Sequence, residues 1–168
     1  MKDNFKNQKG FTLIELSIFM GIFSILIFAL FQLLISIFDV QLEAQSTAVV
    51  TQDGRYILNR FAYDVNNSTS IISPSLGVTG QSLVMSNGTN TYTYSLSNGN
   101  LTLTASPSGT TDNLNSVNTT ISNLSFLRLS DINGKNINTI TATFTINSKI
   151  IRRSGVNTEN FKTTVGIR

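Results

Sequence analysis

The fold is decided by residues 9–38, which read KGFTLIELSIFMGIFSILIFALFQLLISIF. After Lys9, Glu15 is the only charged residue in this stretch, and none occurs from Leu16 to Phe38. A carboxylate at one fixed place in an apolar helix is costly unless a partner accompanies it. The position of Glu15 therefore indicates that this helix does more than anchor the chain.

The length of the apolar run predicts a single membrane span. As a helix, Leu16–Phe38 would extend about 34 Å at about 1.5 Å per residue, enough to cross a bilayer core of roughly 30 Å once. The charged residues before Gly10 are Lys2, Lys6 and Lys9, with only Asp3 against them. This excess of lysine predicts a cytoplasmic N-terminus, with the rest of the chain outside.

Two general interpretations of the run are less satisfactory. A secretory signal peptide has an apolar region of about 7–15 residues, followed by a cleavage site of small residues. Residues 38–44, FDVQLEA, offer no such site. A plain single-pass anchor fits the length but leaves Glu15 unexplained.

The sequence KGFTLIEL at residues 9–16 resembles the processing site of the type IV pilin and pseudopilin superfamily. In that family a membrane aspartyl protease, prepilin peptidase, removes a basic leader that ends in glycine. The new N-terminal residue, usually phenylalanine, is then N-methylated. The resemblance implies cleavage between Gly10 and Phe11, removal of residues 1–10 as a leader, and methylation of Phe11.

The chemistry of the residues agrees with this resemblance. Cleavage before the apolar run keeps the run on the mature chain and creates an ammonium group at Phe11. Phe11 and Glu15 are four residues apart and share one helix face. The ammonium of one subunit could neutralise Glu15 of the next, and such a head-to-tail contact produces an open filament. Glu15 is therefore expected to set the register of subunits during assembly.

Helical spacing of apolar residues continues past the membrane run. One stripe contains Val50, Gly54, Ile57, Phe61 and Val65. Arg60 and Asp64 can pair on its flank at i and i+4. The pattern ends at Asn-Asn-Ser, residues 66–68. We predict one helix from Thr12 to Val65, with a transmembrane part at 11–38 and an amphipathic continuation at 39–66.

Residues 67–168 are predicted to form an antiparallel sheet. The two-residue turn Asn98-Gly99 favours a type I′ hairpin. Its predicted pairs are Leu96 with Leu101, Tyr94 with Leu103, and Tyr92 with Ala105. Further strands are predicted at 121–129, 140–146 and 161–167, a polar surface loop at 106–119 and a turn at 131–134. The predicted fold class is α+β, with the amphipathic half of the helix packed on the sheet.

The composition argues against an enzyme. With no Cys and no His, the chain lacks thiol and imidazole nucleophiles and the usual zinc ligands. We expect no catalytic residues, no cofactor and no metal. Asp131-Ile132-Asn133-Gly134 lacks the alternating acids of a calcium loop and fits a hairpin turn better.

The basic residues near the C-terminus raise the alternative of DNA contact. They are Lys149, Arg152, Arg153 and Lys162. A nucleic-acid site normally shows a broader basic face with stacking aromatic residues. Phe161 is expected in the core, and we interpret the basic residues as a solvated face. Asp53 and Asp64 are each expected to pair with a nearby arginine.

The sequence thus predicts a structural subunit, a minor pilin or pseudopilin. Residues 52–64 and 165–168 also resemble minor pilins of the PilW and GspJ type. The partners implied are prepilin peptidase, other pilin subunits, and an assembly platform with its ATPase. The implied location is the cytoplasmic membrane and then an extracytoplasmic filament. The alternatives are a major pilin, a DNA-uptake pseudopilin and a signal-anchored envelope enzyme.

Overall fold

The computed structural model describes residues 10–130 and 136–167. The chain divides into two units, one before and one after the bond between Gln41 and Leu42. The first unit contains the N-terminal part of the long helix. The second contains the rest of the helix and the strands.

Helix α1 comprises Leu13–Asn66, within one residue of the predicted bounds at each end. Its most apolar window of 18 residues has a mean hydropathy of 2.7, and none of that window is buried. Among residues 10–130 and 136–167, α1 is the one helix long and apolar enough to cross a membrane. The predicted apolar half of the helix is therefore confirmed, and it lies near the N-terminus.

The amphipathic part of α1 carries the predicted stripe. All five of its residues are buried: Val50, Gly54, Ile57, Phe61 and Val65. Three polar residues, Ser46, Asp53 and Asp64, are buried on the same helix. Apolar periodicity did not identify these three, because it says nothing about which polar side chains are buried.

The described part of the chain after α1 contains nine strands. They are β1 (Ser70–Ser73), β2 (Thr79–Gly80), β3 (Leu83–Ser86), β4 (Thr91–Ser97), β5 (Asn100–Ser106), β6 (Thr110–Asn113), β7 (Thr119–Ser130), β8 (Asn136–Ser148) and β9 (Thr158–Gly166). All paired strands are antiparallel. The α+β fold class is confirmed.

The strands form two sheets, where the sequence predicted one. The first has the order β1-β3-β4-β5-β6 and the second the order β2-β7-β8-β9. Strand β2 comes between β1 and β3 in the chain but belongs to the second sheet, and after β6 the remaining strands all belong to that sheet. Strand alternation marks which residues are buried, but it does not tell which strands are neighbours.

The predicted hairpin is confirmed in its exact register. Tyr94 pairs with Leu103, and the two pairs on either side match as well. Asn98 and Gly99 have φ angles of 50° and 76°. Positive φ at both central residues is the requirement of a type I′ turn.

The predicted surface loop at 106–119 is wrong in part. Thr110–Asn113 forms the edge strand β6, and Leu114 and Asn115 beyond it are buried. All four residues of β6 are exposed, so the strand has no apolar alternation to reveal it. Its pairing with β5 includes a contact of 2.9 Å between the hydroxyls of Thr104 and Thr111. The turn predicted at 131–134 lies outside the described residues.

One hydrophobic core unites the second unit. Phe61 of α1, Tyr94 of the first sheet and Phe126 of the second form a cluster with ring centroids 6.1–6.4 Å apart. Phe161 of β9 is partly buried against this core and stacks on Phe144 at 5.5 Å. The amphipathic half of α1 is thus packed against both sheets, as aromatic burial favours.

Candidate functional site

The first turn of α1 is capped by Thr12. Gly10, Phe11 and Thr12 precede the helix. The backbone N–H of Glu15 donates to Thr12 Oγ1 at 3.3 Å, and the N–H of Leu16 donates to the Thr12 carbonyl at 3.1 Å. Thr12 is therefore the N-cap, and Thr-x-x-Glu is the sequence pattern of a capping box. The Gly10–Phe11 bond lies outside the helix.

Thr12 was not identified from the sequence, although its signal was present. The pattern Thr12-x-x-Glu15 directly before an apolar run is a known mark of a helix start. Glu15 is thus part of the helix cap as well as the one charge of the apolar run. The carboxylate also lies in the first turn of α1, where the helix dipole favours a negative charge.

Glu15 is exposed among apolar side chains. Phe11, Glu15, Leu16 and Phe19 line one groove on the surface of the first unit. Phe11 and Phe19 are 84% and 61% exposed. Glu15 and Phe19 are four residues apart in α1 and share one face of the helix, whereas Phe11 lies before the helix begins. The groove therefore combines an apolar wall with a single negative charge.

The hydroxyl groups farther along this helix already have partners. Ser17 Oγ donates to the Ile14 carbonyl at 3.0 Å, and Ser24 Oγ donates to the Met20 carbonyl at 2.8 Å. Serine bonded in this way is compatible with apolar surroundings. Between Gly10 and Phe38, Glu15 is then the one side chain with a formal charge.

The basic residues near the C-terminus differ from the predicted solvated face. Arg152 forms an ion pair with Glu43, and its side chain is only 9% exposed. Its Nε also donates to the Gly155 carbonyl at 2.9 Å. The prediction is therefore wrong for Arg152, because the carboxylate of Glu43, 109 residues away in sequence, holds it against α1.

The other basic residues occupy different places. Lys149 Nζ donates to the Val117 carbonyl at 3.1 Å. Lys162 is exposed within β9, opposite Thr143. Phe161, next to Lys162, packs against the core as expected and is not available for base stacking. This arrangement gives no support to a DNA-binding face.

Asp64 has the arginine partner that was expected. Arg60 Nε donates to Asp64 Oδ2 at 2.9 Å, and the Tyr94 hydroxyl donates to the same oxygen at 2.6 Å. Burial raises the pKa of Tyr94 strongly, and the negative charge of Asp64 raises it further. The hydrogen bond to Asp64 raises the pKa of Arg60. The group joins α1 to the first sheet and is a structural network.

Asp53 has a different set of partners from the expected arginine. Its Oδ2 accepts hydrogen bonds from Ser116 N–H at 2.9 Å, Ser116 Oγ at 2.8 Å and Thr119 Oγ1 at 2.6 Å. These bonds fix the turn before β7 onto α1. Hydroxyl partners more than sixty residues away leave no signal in the sequence around Asp53.

No group of three acidic, His or Cys side chains that could hold a metal occurs in residues 10–130 and 136–167. The rejected calcium-loop candidate, residues 131–134, lies outside the described residues. The candidate site is the start of α1, where the charged Glu15 lies in a groove lined by apolar side chains.

Comparison with known proteins adds one positive finding. A family model described as the prokaryotic N-terminal methylation motif matches residues 5–31. Comparisons with curated proteins and with solved structures gave no match. The matched segment contains Gly10, Phe11 and Glu15, and with the apolar helix it suggests a membrane-anchored protein. Taken with the long helix packed on antiparallel sheets, the motif supports the identification of this chain as a type IV pilin or pseudopilin.

Proposed function

We propose that this chain is the precursor of a minor pilin or pseudopilin. Prepilin peptidase cuts between Gly10 and Phe11 and removes residues 1–10. Phe11 is N-methylated, and the mature chain enters a filament through α1. The match of the methylation-motif model to residues 5–31 is the observation that carries this proposal.

The exposed surface of the helix supports an assembly role. Large apolar side chains from Leu13 to Phe38 are exposed along its length. In water such a surface would be strongly unfavourable, at roughly 25 cal/mol per Å² of apolar area. Lipid covers it before assembly, and neighbouring helices cover it afterwards. Exchange of lipid for helices costs little, because the two are similarly apolar.

The charge of Glu15 determines the offset at which one helix packs beside the next. Cleavage before Phe11 leaves an ammonium group at the start of the helix. Placed in the groove beside Glu15 of a neighbouring subunit, it neutralises the carboxylate at one defined offset. A displaced subunit leaves that carboxylate unpaired in apolar surroundings, at a cost of about 3–5 kcal/mol for a broken buried pair.

The topology follows from the charges flanking the run. The helix spans the cytoplasmic membrane once, with the basic leader inside and the second unit outside. The partners are the peptidase, other pilin subunits, and an assembly platform with its ATPase. The choice of a minor subunit rests on the likeness of residues 52–64 and 165–168 to minor pilins, and the abundance of the chain in isolated filaments tests it.

The cleavage step is tested by co-expression with a prepilin peptidase. Gly10→Ala is expected to remain at full length in the membrane, whereas the parent chain loses its leader. Gly21→Ala is a matched control, because Gly21 lies inside α1 with no atom within 4 Å of an added Cβ. Intact mass separates the two forms. Normal processing of Gly10→Ala would refute the assigned cut.

A further inference from the structure

Gln32 is the one carboxamide side chain in the uncharged run from Leu16 to Phe38. It is exposed on α1, and within the described residues its side chain makes no hydrogen bond. Two hydroxyl groups earlier in the run, those of Ser17 and Ser24, donate to backbone carbonyls of their own helix. Gln32 differs from them, because it keeps two N–H donors and a carbonyl acceptor without a partner.

A carboxamide without partners is unfavourable in hydrocarbon. Gln32 lies six residues before Phe38, which places it about 9 Å from the end of the run along the helix axis. In the proposed membrane span, acyl chains surround this side chain and offer it no hydrogen bond. Burial of an amide among apolar groups is costly until another polar group meets it. In membranes, glutamine side chains commonly find that group on a neighbouring helix.

The small and polar residues of the run share one face of the helix. At about 100° per residue, all six fall within an arc of about 140°, and the rest of the circumference carries only Leu, Ile, Phe and Met. They are Ser17, Gly21, Ser24, Ala29, Gln32 and Ser36. We call this arc the Gln32 face. Short side chains allow two helix backbones to approach closely, which brings polar groups on the two helices within bonding distance.

We propose that two copies of the chain pair in the membrane through their Gln32 faces, with the two Gln32 amides bonded to each other. A carboxamide has both donors and an acceptor, so two of them can bond reciprocally. Copies inserted with the same orientation present Gln32 at the same depth. A symmetric pair requires this equality, because the same residue meets itself across the two-fold axis. The polar residues of an unrelated helix have no such constraint on their depth.

This inference rests on the proposed membrane insertion of α1, and its contact differs from the proposed filament contact. Glu15 lies about 100° around the helix from Gln32, outside the Gln32 face. The groove beside Glu15 thus stays open to the ammonium group of another subunit. In the proposed filament, neighbouring helices are displaced along their axes, because residue 11 of one meets residue 15 of the other. Pairing at equal depth therefore describes subunits in the membrane before assembly.

Disulfide cross-linking of the full chain in liposomes tests the pairing, because the chain contains no cysteine. Ile25→Cys places a thiol on the Gln32 face, seven residues before Gln32. Leu30→Cys places one about 160° around the helix from Gln32, and the two replaced side chains are 73% and 56% exposed. The leader is retained and no assembly machinery is present, so filaments do not contribute. Oxidation is expected to give about tenfold more dimer at residue 25 than at residue 30.

Gln32→Leu, combined with Ile25→Cys, separates the amide from the shape of the face. The change makes the run more apolar, so insertion into the bilayer is not at risk. Loss of the hydrogen bond between helices is expected to lower the association constant about tenfold. The cross-linked fraction, measured over a series of chain-to-lipid ratios, gives this constant. Gln32→Asn keeps a carboxamide and is expected to retain most of the cross-linking.

Three outcomes would overturn the inference. Equal cross-linking at residues 25 and 30 would indicate random encounters, and parental association of Gln32→Leu would place the contact elsewhere in the chain. An equal loss in Gln32→Asn and Gln32→Leu would show that side-chain shape, and not the amide, holds the pair. A chain that fails to insert into liposomes would refute the proposed membrane span, whereas an inserted chain without cross-links would refute the pairing alone.

Discussion

The ring of Phe161 on β9 lies directly against the backbone of Gly54 on α1. A Cβ placed at residue 54 would overlap the ring at several of its carbon atoms. The same ring stacks on Phe144 of β8 and has little freedom to withdraw. Gly54 thus permits the close approach of helix and strand at this point, and the approach seats β9 on the core.

Gly54→Ala is therefore expected to destabilise the second unit by about 1–3 kcal/mol, the usual cost of overpacking. An exposed helical glycine would show the opposite sign, because alanine is the better helix former by about 1 kcal/mol. Denaturant unfolding followed by near-UV circular dichroism measures the change. Gly21→Ala should leave this transition unaltered, and an unchanged or higher midpoint for Gly54→Ala would show that the ring is free to move.

The stability of Tyr94→Phe relative to the parent should depend on pH, because Tyr94 belongs to the buried network with Asp64. Below about pH 9 the variant should be less stable by about 1.5–3 kcal/mol, because a hydrogen bond to a charged acceptor is lost. The hydroxyl donates to Asp64 Oδ2 at 2.6 Å, and burial raises the pKa of Tyr94 above its ordinary value of 10.0.

The difference between parent and Tyr94→Phe should narrow at high pH. A raised folded-state pKa gives a contribution that is complete below the unfolded pKa, about 10, and is lost as the pH rises beyond it. The loss is about 1.4 kcal/mol per pH unit for one proton. Unfolding curves at about pH 8, 10 and 11 give the comparison. A constant difference across this range would mean that Tyr94 ionises as easily in the folded protein as in the unfolded chain.

A chain that begins at Val40 should be soluble and folded. The second unit starts at Leu42 and contains the full hydrophobic core. Removal of the exposed apolar helix takes away the surface that needs lipid. Circular dichroism and dispersed amide proton resonances would verify the fold. Aggregation of this fragment under conditions in which the parent is stable in detergent would argue against a self-contained unit.

Glu15→Ala should be processed normally and still fail to enter filaments. The proposed cut lies before Phe11, whereas the proposed register of subunits depends on the charge of Glu15. Glu15→Gln keeps the size of the side chain and removes the charge, so it should fail in the same way. Co-sedimentation with assembled filaments provides the measurement. Entry of Glu15→Gln at the parental level would show that shape, and not charge pairing, selects the neighbour.

Local patterns in the sequence predicted much of this fold. The helix bounds and the buried stripe follow from a period near 3.6, and the register of the β4–β5 hairpin follows from Asn98-Gly99. These features depend on residues close together in the chain. The motif at residues 9–16 likewise carries its information in one contiguous stretch, and the family-model match covers it.

Features that depend on distant residues were not predictable. The division into two sheets depends on which strands become neighbours, and β6 has exposed polar residues on both faces. The partners of Asp53 and Arg152 lie 63 and 109 residues away. A single sequence gives no measure of such distances. Thr12 is the exception, since its capping pattern with Glu15 is local.

The N-terminus of the mature protein tests the central claim most directly. Mass spectrometry of the chain purified from its native membrane should give a first residue of N-methylated phenylalanine, Phe11. The ammonium group that we propose as the partner of Glu15 exists at this place only after that cut. A native protein that still begins at Met1 would contradict the account.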